Sequence, residues 1–173
     1  MSPLDRESDL ALCERAGDGD RRAFGVLVAR HEKRLRGFLA HIAGVQLADE
    51  LAQESFIKAW RSTRSFRGNA KFSSWICSIG WRCFLDHARR GRSEARRRDA
   101  APVPAREHEA APDVKLDLAH ALSLLEPLER AALVLCEGHG WSHGEAAEIL
   151  RLPLGTLKGT VARAKRKCRA VLT

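Results

Sequence analysis

Apolar and aromatic side chains in the first ninety residues recur at helical spacing. Phe24, Leu27, Val28, His31, Leu35, Phe38, Leu39 and Ile42 follow the i, i+3, i+4, i+7 rule, with Asp18 or Asp20 placed to cap a long amphipathic helix. A second helix is predicted from a cap at Asp49 through Trp60, with Ala52, Phe56, Ala59 and Trp60 on its inner face. Gly68 and Asn69 interrupt the pattern. Ser73 or Ser74 restarts it, and a third helix is expected from about Trp75 to Arg90, packing through Ile76, Ile79, Cys83 and Leu85.

The periodicity then lapses. Residues 91–116 are charged and rich in Ala and Pro, with Val103, Val114 and Leu116 as the sizeable apolar side chains. Such a stretch buries too little surface to offset its ordering entropy, and Pro102, Pro104 and Pro112 oppose helix, so it reads as a flexible linker. Four shorter helices are predicted beyond it, over 116–125, 128–137, 142–150 and 156–172. The third begins on Ser142-His143-Gly144-Glu145, a capping box. Pro153 and Gly155 are expected to break the chain before the fourth, the glycine through its tolerance of positive φ. No strand-like alternation of useful length occurs. The expected fold is all-α: two small helical domains, 1–90 and 117–173, joined by the linker, the second a helix-turn-helix.

Charge adds a partner to this picture. The 173 residues carry 30 Lys and Arg against 22 Asp and Glu, a net +8 with a pI near 9.8, which favours a polyanion or an acidic protein surface. The longest uncharged run, Gly37 to Ala48, still contains His41 and Gln46 and is too short to cross a bilayer. The N-terminus is polar and acidic, unlike a signal peptide. Five cysteines lie far apart without a CxxC pair, as expected of buried or idle thiols in a reducing cytoplasm. His139 and His143 are four apart, but neighbouring glycines and the Ser142 cap put them in a turn with no evident third ligand, so no metal is expected. No phosphate loop, nucleophile triad or isolated carboxylate pair appears. The sequence reads as a cytoplasmic, non-enzymatic protein without a cofactor or membrane insertion.

Two segments carry binding chemistry. Ser142 to Arg169 has the layout of a helix-turn-helix, whose second helix can lie in the DNA major groove. From Lys158 to Thr173 there are six bases and no acid. With the apolar seam inward, Lys158, Gly159, Thr160, Ala162 and Arg163 are placed to reach base edges, while Lys165, Arg166 and Lys167 suit phosphates. The other segment is the loop Phe66-Arg67-Gly68-Asn69-Ala70-Lys71-Phe72, in a stretch holding three of the four tryptophans. Aromatic faces stack on unpaired bases and interleaved cations hold a single-strand backbone. Trp60, Phe72 and Trp75 read as core, and Phe66, Asn69 and Lys71 as exposed contacts.

In this order the motifs become specific. Ala48-Asp49-Glu50-Leu51-Ala52-Gln53-Glu54-Ser55-Phe56-Ile57-Lys58-Ala59-Trp60-Arg61 resembles the core-polymerase-binding helix of bacterial sigma factors. Phe66 to Ile76, Asp86 and Arg89-Arg90 follow at the expected interval. Leu150 to Lys158, with Ala162-Arg163-Ala164-Lys165 beyond, resembles the family's promoter-binding helix-turn-helix, and the two-domain layout is similar to the extracytoplasmic-function (ECF) subgroup. The resemblance implies a transcription initiation factor used in a stress or environmental response. Asp49, Glu50, Gln53 and Glu54 would dock on core RNA polymerase. Phe66, Arg67, Asn69, Lys71 and Phe72, with Arg82, Arg89 and Arg90 on the following helix, would engage the −10 element, and Lys158 to Lys167 the −35 element of promoter DNA. An anti-sigma protein is a further implied partner. The chain departs from the family pattern at Ser78, often basic, at Arg82, often Asn, and at Gly159-Thr160, where a Ser-Arg pair is common. Two alternatives stay open: a sigma-like helix-turn-helix regulator, which would need a sensor or dimerisation domain that the first ninety residues do not resemble, and a polymerase-binding protein without independent promoter selection, which Arg82 and Gly159-Thr160 keep alive.

Overall fold

Polar side chains at two turns start the first helices. Ser8 Oγ accepts from the Ala11 amide at 3.2 Å and opens α1, Asp9–Gly17. Asp20 Oδ1 accepts from the Arg22 and Ala23 amides at 2.9 and 3.1 Å and opens α2, Arg21–Ala43. Those amide bonds, led by the one from Ala23, together with Arg15, hold the Asp20 carboxyl below its ordinary range. The computed structural model describes residues 3–97 and 114–172, and no strand occurs among them. The expected all-α class holds. The chain divides into two compact units, Met1–Phe84 and Leu85–Thr173.

In the first unit α1, α2, α3 (Val45–Ser62), a 3₁₀ turn (Thr63–Ser65) and the start of α4 (Phe72–Arg97) pack around Leu12, Leu27, Leu35, Phe38, Leu39, Leu51, Phe72 and Ile76. Gly80 lets α4 come close: a Cβ there would stand 2.8 Å from a Leu35 methyl and 3.5 Å from Ser55 Oγ. Three expectations change here. Helix α1 was not predicted. Asp49 is not a cap, because α3 begins four residues earlier behind Gly44, whose φ of +86° both ends α2 and admits α3. Ser73 and Ser74 are buried in the first turn of α4, which starts at Phe72 and runs to Arg97, seven residues into the expected linker.

The second unit contains α5 (Val114–Ser123), α6 (Pro127–Leu133), a π-helical turn (Val134–Gly138), α7 (His143–Leu150) and α8 (Leu154–Leu172). Helix α5 thus occupies the C-terminal end of the expected linker; residues 98–113 of that segment lie outside the described residues. The half-buried Arg130 joins α6 to the end of α5, donating to the carbonyls of Leu122 at 2.7 Å, Ser123 at 2.9 Å and Leu125 at 3.1 Å. Pro127 takes the first position of α6, where its missing amide costs nothing.

Candidate nucleic-acid and partner interfaces

Helix α3 turns its acidic residues outward, but its four candidate contacts are not equivalent. Arg36 on α2 donates to Asp49 Oδ1 from Nε and Nη2 at 2.7 Å, and Lys58 pairs with Glu54 at 2.8 Å. The Glu54 carboxylate and burial of the lysine act in opposite directions on Lys58, and the carboxylate prevails, raising its pKa. Glu50 and Gln53 are exposed. Beside them a groove of about 470 Å³ runs between α2 and α3, lined by Val28, Glu32, Arg36, Asp49, Gln53 and Ile57 among others. Ile57, 53% exposed, adds an apolar element that the sequence reading passed over. Its place one helical turn beyond Gln53 and two beyond Glu50 was the available signal.

The loop between the 3₁₀ turn and α4 has an aromatic floor. Phe66 and Phe72 are buried edge to face at 5.7 Å, with Trp75 at 5.2 and 5.4 Å from them. The expectation that Phe66 is an exposed contact is therefore corrected; Phe72, fully buried, is core as its pattern read, and the contact with the −10 element that the resemblance implied for it is corrected likewise. The two rings pack on one another and on Trp75. Arg67, Asn69 and Lys71 stand exposed above this floor. Gly68, at φ +72°, lies against Leu10 of α1, whose methyls would stand 3.1 and 3.3 Å from an added Cβ. Arg64 Nε donates to the Gly17 carbonyl at 2.7 Å. The unpredicted α1 is thus a wall of the loop. The buried Ser74 hydroxyl finds no hydrogen-bond partner among the described residues. Along α4, the half-buried Arg82 donates from Nε to the Ser78 carbonyl at 3.1 Å, Arg89 lies 3.6 Å from Asp86, and Arg90 is exposed.

The helix-turn-helix forms as its caps dictate. Ser142 Oγ accepts from the Glu145 amide at 3.2 Å while Glu145 accepts from the Ser142 amide at 3.0 Å. The left-handed residue of the turn is Arg151, at φ +55°, and not Gly155, which lies in the first turn of α8 without a positive φ. Arg151 ends α7 while the Leu152 amide reaches back to the Ala147 carbonyl at 2.9 Å. Helix α8 buries Leu157, Val161, Ala164 and Cys168. It also buries Thr160, 2% exposed, whose hydroxyl donates to the Thr156 carbonyl at 2.9 Å, so the expectation that Thr160 reads a base is corrected.

The cations of α8 separate into two sets. Arg163 Nε donates to Glu129 Oε1 at 2.9 Å and Lys167 Nζ to Glu129 Oε2 at 2.7 Å, while Lys165 pairs with Glu137 at 2.8 Å. Lys158, Gly159, Ala162 and Arg166 are exposed, and Lys158 and Arg166 make no ion pair with any described residue. Burial acts to raise the Glu129 carboxyl, but the bonds from Lys167 and Arg163 prevail and hold it below the usual carboxylate range. Cys13 and Cys77 are poorly suited to reaction, because burial pushes both thiols up to about 12.

A helical unit with a cation-fringed loop on an aromatic floor, followed by a unit built as a helix-turn-helix, defines a transcription-type DNA-binding protein. The family model of sigma-70 region 2 matches residues 27–94 and that of sigma-70 region 4 matches residues 115–168. The chain is 32% identical to the RNA polymerase sigma factor CarQ of Myxococcus xanthus, over 92% of this chain and 94% of that one. It is 29% identical to the ECF RNA polymerase sigma-E factor of Haemophilus influenzae, over 91% and 92%. Among solved structures it resembles CnrH in complex with the cytosolic domain of CnrY, at TM-score 0.71 and 28% identity over 96% of this chain and 97% of that chain. It also resembles RpoE in complex with the anti-sigma factor NepR from Bartonella quintana, at TM-score 0.74 and 25% identity over 86% and 96%. The chain belongs to the sigma-70 family of RNA polymerase sigma factors and is of the ECF type.

Proposed function

We propose that this sigma factor directs core RNA polymerase to promoters through three separate surfaces, and acts by binding rather than catalysis. The reading assigns residues 1–90 to core polymerase and the −10 element, and residues 117–173 to the −35 element. Glu50 and Gln53, with the α2–α3 groove and Ile57, form the polymerase surface. Asp49 and Glu54 contribute once Arg36 and Lys58 release them. Arg67, Asn69 and Lys71 engage an unpaired base and its backbone over the Phe66–Phe72 floor, with Arg82, Arg89 and Arg90 along the adjoining duplex. Removing a base from the stack costs a few kcal/mol, so contacts that offset this make melting sequence-selective. Lys158, Gly159, Ala162 and Arg166 face the −35 element, and Arg163, Lys165 and Lys167 flank them.

The observation that carries the reading is the layout of the first unit. An exposed acidic patch on α3 and an exposed cationic loop after it provide chemically opposite surfaces for a protein and for a nucleic acid. The likeness to CnrH and to RpoE, each solved with its protein partner, supports an anti-sigma protein as regulator of this chain. Among the described residues no helix is long and apolar enough to cross a membrane. Action beside polymerase would place the protein in the cytoplasm.

The test is co-elution with core RNA polymerase, followed by run-off transcription. The intact protein is expected to co-elute and to initiate, and Glu50→Lys to weaken binding by at least about tenfold, or about 1.4 kcal/mol. Unchanged binding by Glu50→Lys removes the polymerase surface from α3. Binding without initiation by the intact protein would demote it to a polymerase-binding protein.

A further inference from the structure

We propose that Glu129 sets the electrostatic footprint of α8, holding Arg163 and Lys167 in a compensated cluster so that Lys158 and Arg166 carry the helix's contacts to DNA. The inference rests on the reading that α8 enters the duplex groove, and specifies which of its cations act there.

Glu129 is the third residue of α6, and its carboxylate turns back to accept from the Glu126 amide at 3.2 Å. That capping bond fixes the side chain, which is only 7% exposed. Its two oxygens meet two cations one helical turn apart on α8: Arg163 Nε on one, Lys167 Nζ on the other. Like charges at that spacing repel, and the carboxylate between them removes the repulsion. The three side chains together present one positive charge, not two.

The bonds to Glu129, more than the helical register, set Arg163 and Lys167 apart from the exposed Lys158 and Arg166. At about 100° per residue, Gly155, Gly159 and Arg166 lie opposite the buried seam of Leu157, Val161, Ala164 and Cys168, with Ala162 and Arg163 to either side of that ridge. Lys158 and Lys167 stand a quarter turn from it on opposite flanks, Lys167 on the one against α6. A DNA phosphate that drew either cation away would weaken the compensation of a carboxylate already out of water, which is strongly unfavourable. Lys165 differs: it and Glu137 are 40% and 48% exposed, so that pair yields readily to a phosphate.

The experiment measures the salt dependence of binding of the full chain to a mixed-sequence duplex of about thirty base pairs. Each neutralised phosphate contributes about 0.9 to the slope of log K against log salt. Lys158→Gln is expected to lower the slope by about 0.9, and Lys167→Gln to leave it unchanged. Glu129→Gln is expected to steepen it by about 0.9 to 1.8 and to tighten binding at low salt. A merely structural glutamate would on removal lower the melting temperature without steepening the slope. Equal losses of slope in Lys158→Gln and Lys167→Gln would overturn the role of Glu129 while leaving α8 on the DNA. No loss in Lys158→Gln would remove α8 from the DNA and the inference with it. Should Glu129→Gln fail to fold, the two lysine variants still decide.

Discussion

The acidic face of α3 and the basic face of α8 are each partly neutralised by a neighbouring helix, yet the two neutralisations differ in kind. On α3, Asp49 and its partner Arg36 are 57% and 53% exposed, and water can replace either at little cost. On α8, one buried carboxylate holds two cations, and breaking those bonds strands a charge. The first arrangement leaves residues that a partner can recruit. The second fixes residues that a partner must accept as they stand. Counting charges along a helix therefore overstates its contacts, and by more on α8 than on α3.

Removing both cations from Glu129 breaks this contrast most severely. Arg163→Met with Lys167→Met is expected to destabilise the second unit by about 3–5 kcal/mol, read from its thermal or urea midpoint. A loss under about 1 kcal/mol would place Glu129 with the surface pairs. The same contrast has a pH signature. The folded-state pKa of Glu129 lies below its unfolded value, so its stabilisation is complete above the ordinary glutamate range near about 4.3 and is lost as pH falls through the lower folded value. Acidification should thus unfold the intact second unit over a window that Glu129→Gln flattens, followed through the fluorescence of the buried Trp141.

A smaller loss is expected from Gly80→Ala, whose Cβ meets a Leu35 methyl at 2.8 Å: about 1–3 kcal/mol by denaturation of the first unit. No loss there would mean that Leu35 swings aside freely. The smallest effect belongs to Asp49→Asn, expected to change stability by less than about 1 kcal/mol. A larger loss would make the Arg36–Asp49 pair structural and weaken the distinction drawn above.

What the sequence made legible was whatever local rules control. The long amphipathic α2, the Asp20 cap and the Ser142–Glu145 box follow from residues within four positions of each other. Helix α1 escaped because it is short and its buried set is Leu12, Cys13 and Ala16, too sparse for a periodic signal. The start of α3 escaped because a glycine at positive φ did the work expected of a capping side chain. Arg151 held the left-handed turn although Gly155 stood four residues away. The Glu129 cluster was illegible for a deeper reason: its partners lie 34 and 38 positions along the chain, and no local pattern distinguishes a cation facing DNA from one facing a carboxylate.

The outward ridge of α8 has a consequence for how such a protein can change its targets. An added Cβ at Gly155 or at Gly159 would meet no atom within 4 Å, and Ala162 is exposed beside them. Replacing Gly159 by Ala should even favour the helix by about 1 kcal/mol. On the reading proposed for α8, these vacancies face the base pairs while the residues that hold the fold lie on the other side. Promoter preference can then be rewritten one side chain at a time, with no repacking to accompany the change.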